Sequence, residues 1–355
     1  MNAYSDWTLR PLLDLVGRRL LRRPGPTLEA AAAKIWDLAP GACELTPPAF
    51  YLPNQLERVT GWAFADEHPR RAMEGGLRRI HAPTRAFLLK DAMLVDSAIY
   101  ANGFSRRYRR RSALPMARIE AEIDTGALYC TEQGLKWFGS WLMDDCLAYP
   151  LASAHGQPVS LKQDLSPHMM EYEALQRMAS ARPDAALIRD AIVFEDFGQN
   201  GDKRERAAKR REILLAGRDV KSHPGVFILR GMAGERRILL NEDDLAQHLS
   251  DKRGFKVLNP AKLSVDELLS ACAGAETVIG IEGSALMHGV GVLATGGRIL
   301  ALQPPNRFVT VYKDLADRDG QFFGSVVGIS AEEGFRIDPI EVEQTLDLFP
   351  PSSAQ

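Results

Sequence analysis

The sequence predicts an α/β protein of two domains, and three observations carry that expectation. At 355 residues the chain is too long for one ordinary domain and about right for two. From Val226 onward, β-branched runs alternate with helix patterns, as a parallel sheet with crossover helices requires. Between Phe50 and Gly103, short apolar runs are separated instead by Pro, Asp and Gly, which suggests hairpins.

The elements follow in order. The first forty residues hold two expected helices, broken at Arg22-Arg23-Pro24-Gly25-Pro26. The first, LLDLVGRRLLRR, places leucines on one face and arginines on the other, a pattern of packing on its own domain or of resting on an acidic membrane surface. Ser105 to Arg111 then concentrate five arginines in six positions from Arg106, a solvated loop or a site for phosphate groups or lipid headgroups. A strand is expected at Ala117 to Asp124. The stretch LKWFGSWLMDDCLAYPLA reads as a helix with Trp141, Leu142 and Leu147 inward and Asp144 and Asp145 at its middle. VSLK is a strand, MMEYEALQRMAS a helix, and AIVFEDFG a strand that ends in acids, Glu195 and Asp196 among them. Gly201 to Asp219 is a helix of alternating charge, expected to be solvated and to link the domains.

The boundary is placed at Lys221 to Gly225. Beyond it come strands VFILRG, RRILL, FKVLN, TVIGI and RILAL, with helices at NEDDLAQHLSDKR, SVDELLSACAG and SALMHGVGVL. This is a Rossmann-like half without a GxGxxG turn. The resulting division is a helical segment 1–45, a first domain 46–220, a second 221–330, and a helix and tail 331–355.

Composition narrows the functional classes. With 45% hydrophobic and 25% charged residues the chain is that of a soluble globular protein. Its 44 basic against 46 acidic residues argue against a nucleic-acid-coating role. Cys43, Cys130, Cys146 and Cys272 stand far apart with no CxxC, so neither a disulfide framework nor a zinc site is expected. No apolar run approaches membrane-spanning length and the N-terminus lacks a signal-peptide pattern, which places the expected site of action in the cytoplasm, peripheral to the inner membrane through Arg106–Arg111 or the N-terminal helix.

Glu276 to Leu302 is the stretch with the clearest chemistry. A strand, Thr277 to Ile279, turns through Gly280-Ile281-Glu282-Gly283, and Ser284 is placed to cap the next helix. The carboxyl edge of a parallel sheet meets a helix N-terminus there, a place suited to an anion. Glu282 is the misfit, since a carboxylate repels phosphate but accepts hydrogen bonds from sugar hydroxyls.

A series of short motifs surrounds this turn: Phe138-Gly139-Ser140-Trp141-Leu142-Met143-Asp144, Leu229-Arg230, Arg236 or Arg237, Asn241-Glu242, Gly254-Phe255, and Gly280-Ile281-Glu282-Gly283-Ser284-Ala285-Leu286-Met287-His288. In order and spacing the chain resembles the bacterial branch of glycosyltransferase family 61, the capsule and cell-surface polysaccharide type, from about Phe50 to Pro305. Two positions depart from the pattern, Ser140 where histidine is common and Glu282 in place of the His of the commoner turn. The resemblance implies a GT-B architecture, two Rossmann-like domains facing a central cleft. The second would hold the nucleotide-sugar donor and the first the acceptor, a glycan or lipid-linked. It also implies an inverting, metal-independent transfer without cofactor.

Such a transfer needs a base for the acceptor hydroxyl and positive groups for the departing phosphate. Arg230, at a strand end, is the leading phosphate ligand, with Arg236 or Arg237 beside it. Gly283 allows close backbone approach, the N–H groups of Ser284 and Ala285 are expected to face phosphate, Glu282 to face hydroxyls, and His288 lies four residues past Ser284 on the same face. The base is sought among Asp145, Asp144 and Asp196. Adjacent acids cannot share a helix face, so one of Asp144 and Asp145 should face the ligand and the other not. The alternatives are a nucleotide-sugar epimerase on the same fold and a catalytically silent scaffold for glycan assembly.

Overall fold

The computed structural model describes residues 7–17, 25–63, 69–110, 117–230 and 237–351. The chain divides into two compact units, residues 1–41 with 82–200, and 42–81 with 201–355. Helix Gly201–Leu215 and the segment 42–81 thus group with the C-terminal unit, although the sequence suggested a boundary at 221–225.

The first unit is built on a seven-stranded sheet. Its strands are β1 (Lys34–Ala39), β2 (Thr84–Val95), β3 (Ala98–Ala101), β4 (Phe104–Arg107), β5 (Ala121–Leu128), β6 (Gln157–Val159) and β7 (Ala185–Glu195). The order is β6-β5-β7-β2-β3-β4, with β1 also on β2. Only β5, β6 and β7 run parallel, and the remaining pairs are antiparallel. This is a mixed sheet, where a second Rossmann-like domain was expected. The cause is local. Asp96 and Ser97 both take positive φ, as do Asn102 and Gly103. Paired residues of that conformation form tight hairpin turns that return the chain antiparallel. Phe87, Leu89, Leu94, Ile99, Ile188 and Val193 fill the core beside the sheet.

Helix Phe138–Ser140, a π-helical turn at Trp141–Asp145 and α1 (Cys146–His155) follow one another. Trp141, Leu142 and Leu147 are buried, as the apolar spacing required. The π turn is closed by the Cys146 N–H donating to the Trp141 carbonyl, five residues back.

The second unit holds a five-stranded sheet of β8 (Val226–Ile228), β9 (Lys256–Leu258), β10 (Thr277–Ile281), β11 (Arg298–Gln303) and β12 (Phe322–Val327). All pairs are parallel, in the order β9-β8-β10-β11-β12. Numbered along the chain this is the doubly wound order 2-1-3-4-5, which reverses direction between β8 and β10. From Gly201 onward its helices are α2 (Gly201–Leu215), α3 (Glu242–Arg253), α4 (Val265–Cys272), α5 (Met287–Val290), α6 (Val311–Asp319) and α7 (Pro339–Asp347). Ser264 and Glu267 form a full capping box at the start of α4. Phe50 hydrogen-bonds with Phe323 and Ser325, covering an edge of β12, and the Val327 N–H donates to Gln55 Oε1 at 2.6 Å.

Two expected elements differ. RRILL is not a strand: of its described residues, 237–240, Leu239 makes a single bridge to Phe335. The charged helix α2 is not solvated, because Lys203, Arg206 and Arg210 are buried on one side of it. Their spacing of three and four residues places them on one face, where long aliphatic stems pack while the charges find partners such as Asp202, 2.8 Å from Arg206 Nε.

Candidate functional site

Three strand ends of the second unit meet at one residue, Glu282. Arg230 lies two residues beyond β8, Glu282 directly follows β10, and Arg307 lies four residues beyond β11. β8 and β10 are the neighbours between which the winding reverses, so Arg230 and Glu282 stand at the sheet's switch point.

Glu282 is 3% exposed. Its Oε1 lies 2.7 Å from Arg307 Nη1 and 2.8 Å from Arg237 Nε. Its backbone carbonyl accepts from Arg230 Nη1 at 3.1 Å and from Arg237 Nη1 at 3.3 Å. Burial pushes the Glu282 carboxyl upward, while Arg237, Arg307 and Arg230 pull it down. Burial also lowers the Arg230 guanidinium, with Arg237 adding to the effect and Glu282 opposing it. The Arg230 N–H donates to Glu242 Oε1 at 2.7 Å, so the first residue of α3 fixes the backbone that presents Arg230. Among the described residues, three guanidiniums stand against two carboxylates, a net positive charge that suits an anion in a partly desolvated place.

Gly283 sits at the centre. Its φ of 148° and ψ of 168° belong to a region open essentially to glycine alone. A Cβ there would stand 1.7 Å from Arg230 Nη1. The Tyr312 hydroxyl on α6 accepts from the Gly283 N–H at 2.6 Å and donates to the Gly283 carbonyl at 2.7 Å. Tyr312 is fully buried, and burial raises its hydroxyl well above the ordinary phenol range, so it stays protonated and keeps both bonds.

Several expectations are corrected by this geometry. Glu282 does not face outward to hydroxyls; its carboxylate is enclosed and orders two arginines. Ser284 does not cap the helix: Gly283 holds the cap position, without a side-chain bond, and Ser284–Leu286 form a 3₁₀ turn that leads into the four-residue α5. So short a helix has a correspondingly small dipole effect. Ser284 and Ala285 are half-buried at the turn. His288 is 3% exposed, inside the unit rather than at its surface. Arg236 lies outside the described residues, and Arg237 of that pair turns inward.

Arg307 and Tyr312 were missed. The strand-end rule that found Arg230 also applies to Arg307, since RILAL ends at Leu302 and only Gln303-Pro304-Pro305-Asn306 intervene. No local signal marks Tyr312, whose role depends on where α6 lies against the turn.

The candidate bases separate in the first unit. Asp145 is 1% exposed, and its Oδ1 accepts from Thr131 Oγ1 at 2.7 Å and from the Thr131 N–H at 3.1 Å. A Cβ on Gly134 would stand 2.1 Å from Asp145 Oδ2. Asp145 therefore anchors the loop 131–134. Asp144 lines a cavity of about 320 Å³ together with Asp196, Arg106, Tyr108, Phe194 and Phe197. Asp196 also accepts from Thr84 Oγ1 at 2.8 Å. The π turn is what places Asp144 on the cavity and Asp145 in the core.

The arginine run has local uses. Arg107 donates to the Asp96 carbonyl at 2.7 Å and the Tyr100 hydroxyl at 2.8 Å, and Arg109 to the Lys162 carbonyl at 2.9 Å. Arg110 is exposed, and Arg111 lies outside the described residues. Among the described residues no helix is long and apolar enough to cross a membrane.

Comparison with models of known families gives a match to part of the chain. Residues 138–295 match the family model described as Glycosyltransferase 61, a stretch that runs from the helix bearing Asp144 through the Arg230 and Glu282 turns. The match supports a glycosyltransferase enzyme. More particularly, it supports glycosyltransferase family 61, the family the sequence motifs resembled. No curated protein matches the chain.

Proposed function

We propose that this chain is an inverting, metal-independent glycosyltransferase that moves a sugar from a nucleotide-sugar donor to a glycan or lipid-linked cell-surface acceptor. The observation that carries the reading is the net-positive cluster of Arg230, Arg237 and Arg307 around Glu282 and Gly283, at the switch point of a doubly wound sheet. The division of labour is of the GT-B type, with the donor on the second unit and the acceptor and base on the first. Work on the cytoplasmic side of the inner membrane would suit such an acceptor.

In a single displacement, a carboxylate takes the proton of the acceptor hydroxyl. The acceptor oxygen forms its bond to the anomeric carbon as the bond from that carbon to the phosphate oxygen breaks. The electron pair leaves with the nucleotide, and the added negative charge falls to the arginines. Asp144 is the proposed base, with Asp196 the second candidate. Asp145, fixed to Thr131, is left to structure. Glu242 and Tyr312 hold Arg230 and Gly283 in place before the donor arrives.

Thermal-shift and calorimetric titration with UDP, GDP, ADP, dTDP and CMP tests the donor half. One nucleotide should stabilise the protein, and Arg307→Ala should weaken its binding about tenfold or more, the loss of one charge-assisted pair. Stabilisation by none of them would overturn this reading and favour a scaffold.

A further inference from the structure

Phe197 stands out in the first unit because it is 70% exposed, the one aromatic among the exposed large hydrophobic side chains of the described residues. A single exposed apolar residue is ordinary. This one lines the cavity that also holds Asp144 and Asp196. It sits, moreover, on backbone that is held firmly on both sides. Thr84 Oγ1 donates to Asp196 Oδ1 at 2.8 Å just before it. Just after it, Gly198 packs so closely that a Cβ would stand 2.3 Å from the Ala82 carbonyl oxygen. Asn200 Nδ2 then donates to Thr84 Oγ1 at 3.0 Å and to the Ala82 carbonyl at 3.2 Å. The ring is thus kept in water by a braced loop, although folding into the unit would remove its apolar surface from solvent.

A pyranose has matching chemistry. Its axial C–H groups form an apolar face, and its hydroxyls ring the edge. An aromatic face beside carboxylates offers both partners, dispersion to the face and acceptors for the hydroxyl protons. The cavity's volume, about 320 Å³, falls at the small end of ligand sites and suits a single sugar ring.

We propose that Phe197 is the stacking platform for a pyranose of the acceptor, with Asp144 and Asp196 receiving its hydroxyls. The proposal rests on the transferase reading and adds the residue that selects the acceptor. Phe197 positions the ring and touches no reacting bond.

Saturation-transfer NMR with the methyl α- and β-glycosides of glucose, galactose and xylose tests it on the full chain. In the wild type, at least one glycoside should receive saturation mainly at its axial ring protons. Phe197→Ala should abolish that transfer and Phe197→Trp should retain it. The thermal midpoint should not fall in either variant, since the ring is exposed. Unchanged transfer to Phe197→Ala, or no transfer from the wild type to any glycoside, sinks the platform. Nucleotide titration of the same samples separates the two ideas. Phe197→Ala that still binds nucleotide while losing the glycoside supports the platform alone, and a wild type that binds glycoside but no nucleotide leaves the platform standing while the donor reading falls.

Discussion

At the scale of single residues, Gly283 shows why one atom matters. Its backbone conformation and the space above it are both closed to a side chain, because Arg230 Nη1 occupies the place where a Cβ would go. Gly283→Ala should cost roughly 1–3 kcal/mol of stability from backbone strain alone. The larger effect should be on the ligand, since Arg230 must move. Nucleotide affinity measured by calorimetry should fall at least about tenfold while circular dichroism still reports a folded protein. Affinity equal to wild type would remove Arg230 from the donor site. The sequence made Gly283 and Arg230 visible separately, through a turn and a strand end. That one fills the space left by the other was not visible, because 53 positions separate them and only the parallel pairing of β8 and β10 brings them together.

At the scale of elements, the π turn at Trp141–Asp145 decides between two adjacent acids. Sequence spacing established that Asp144 and Asp145 must face different ways, without saying which faces the ligand. The extra residue in the turn shifts the facing, and Thr131 then claims Asp145. Asp145→Ala should therefore lower stability by roughly 1–3 kcal/mol in chemical denaturation, because the half-buried Thr131 donors lose their acceptor. Asp144→Asn should lower kcat by a factor of about 10²–10⁴, as loss of a general base does, and cost less stability than Asp145→Ala. The reverse pattern, with Asp145 controlling rate and Asp144 controlling stability, would exchange their roles. Helix α2 illustrates the same limit differently. Its alternating charges predicted a solvated surface, yet Lys203, Arg206 and Arg210 share a buried face, a choice made by the rest of the second unit.

At the scale of the whole molecule, the chain leaves and re-enters each unit. Residues 42–81 belong with 201–355, although residues 82–200 stand between them in sequence. Gln55 satisfies the buried Val327 N–H, Arg58 Nη1 lies 2.7 Å from Glu341 Oε2, and Phe50 packs on Phe349 with ring centres 4.9 Å apart. A fragment of 201–355 would leave these groups uncovered. It should unfold at lower temperature than the second unit does in the full chain, or aggregate, and adding residues 42–81 through a flexible linker should restore it. Equal melting of the two fragments by calorimetry would show that the segment adds nothing.

The sequence by itself determined the alternation of strand and helix after Val226, the inward face of the helix at Trp141, and the strand-end arginine and glycine turn on which the donor reading depends. These are local properties, fixed by side-chain period and by the few residues that tolerate unusual backbone angles. Hairpins were legible for the same reason, but not that they would turn the first sheet mixed. The tertiary structure alone decided that Glu282 is enclosed by arginines, that Tyr312 holds Gly283, that Asp144 and not Asp145 lines the cavity, and that Phe197 shares it. Each of these joins groups distant in the chain, and such pairings depend on which strands lie side by side, which no local pattern encodes.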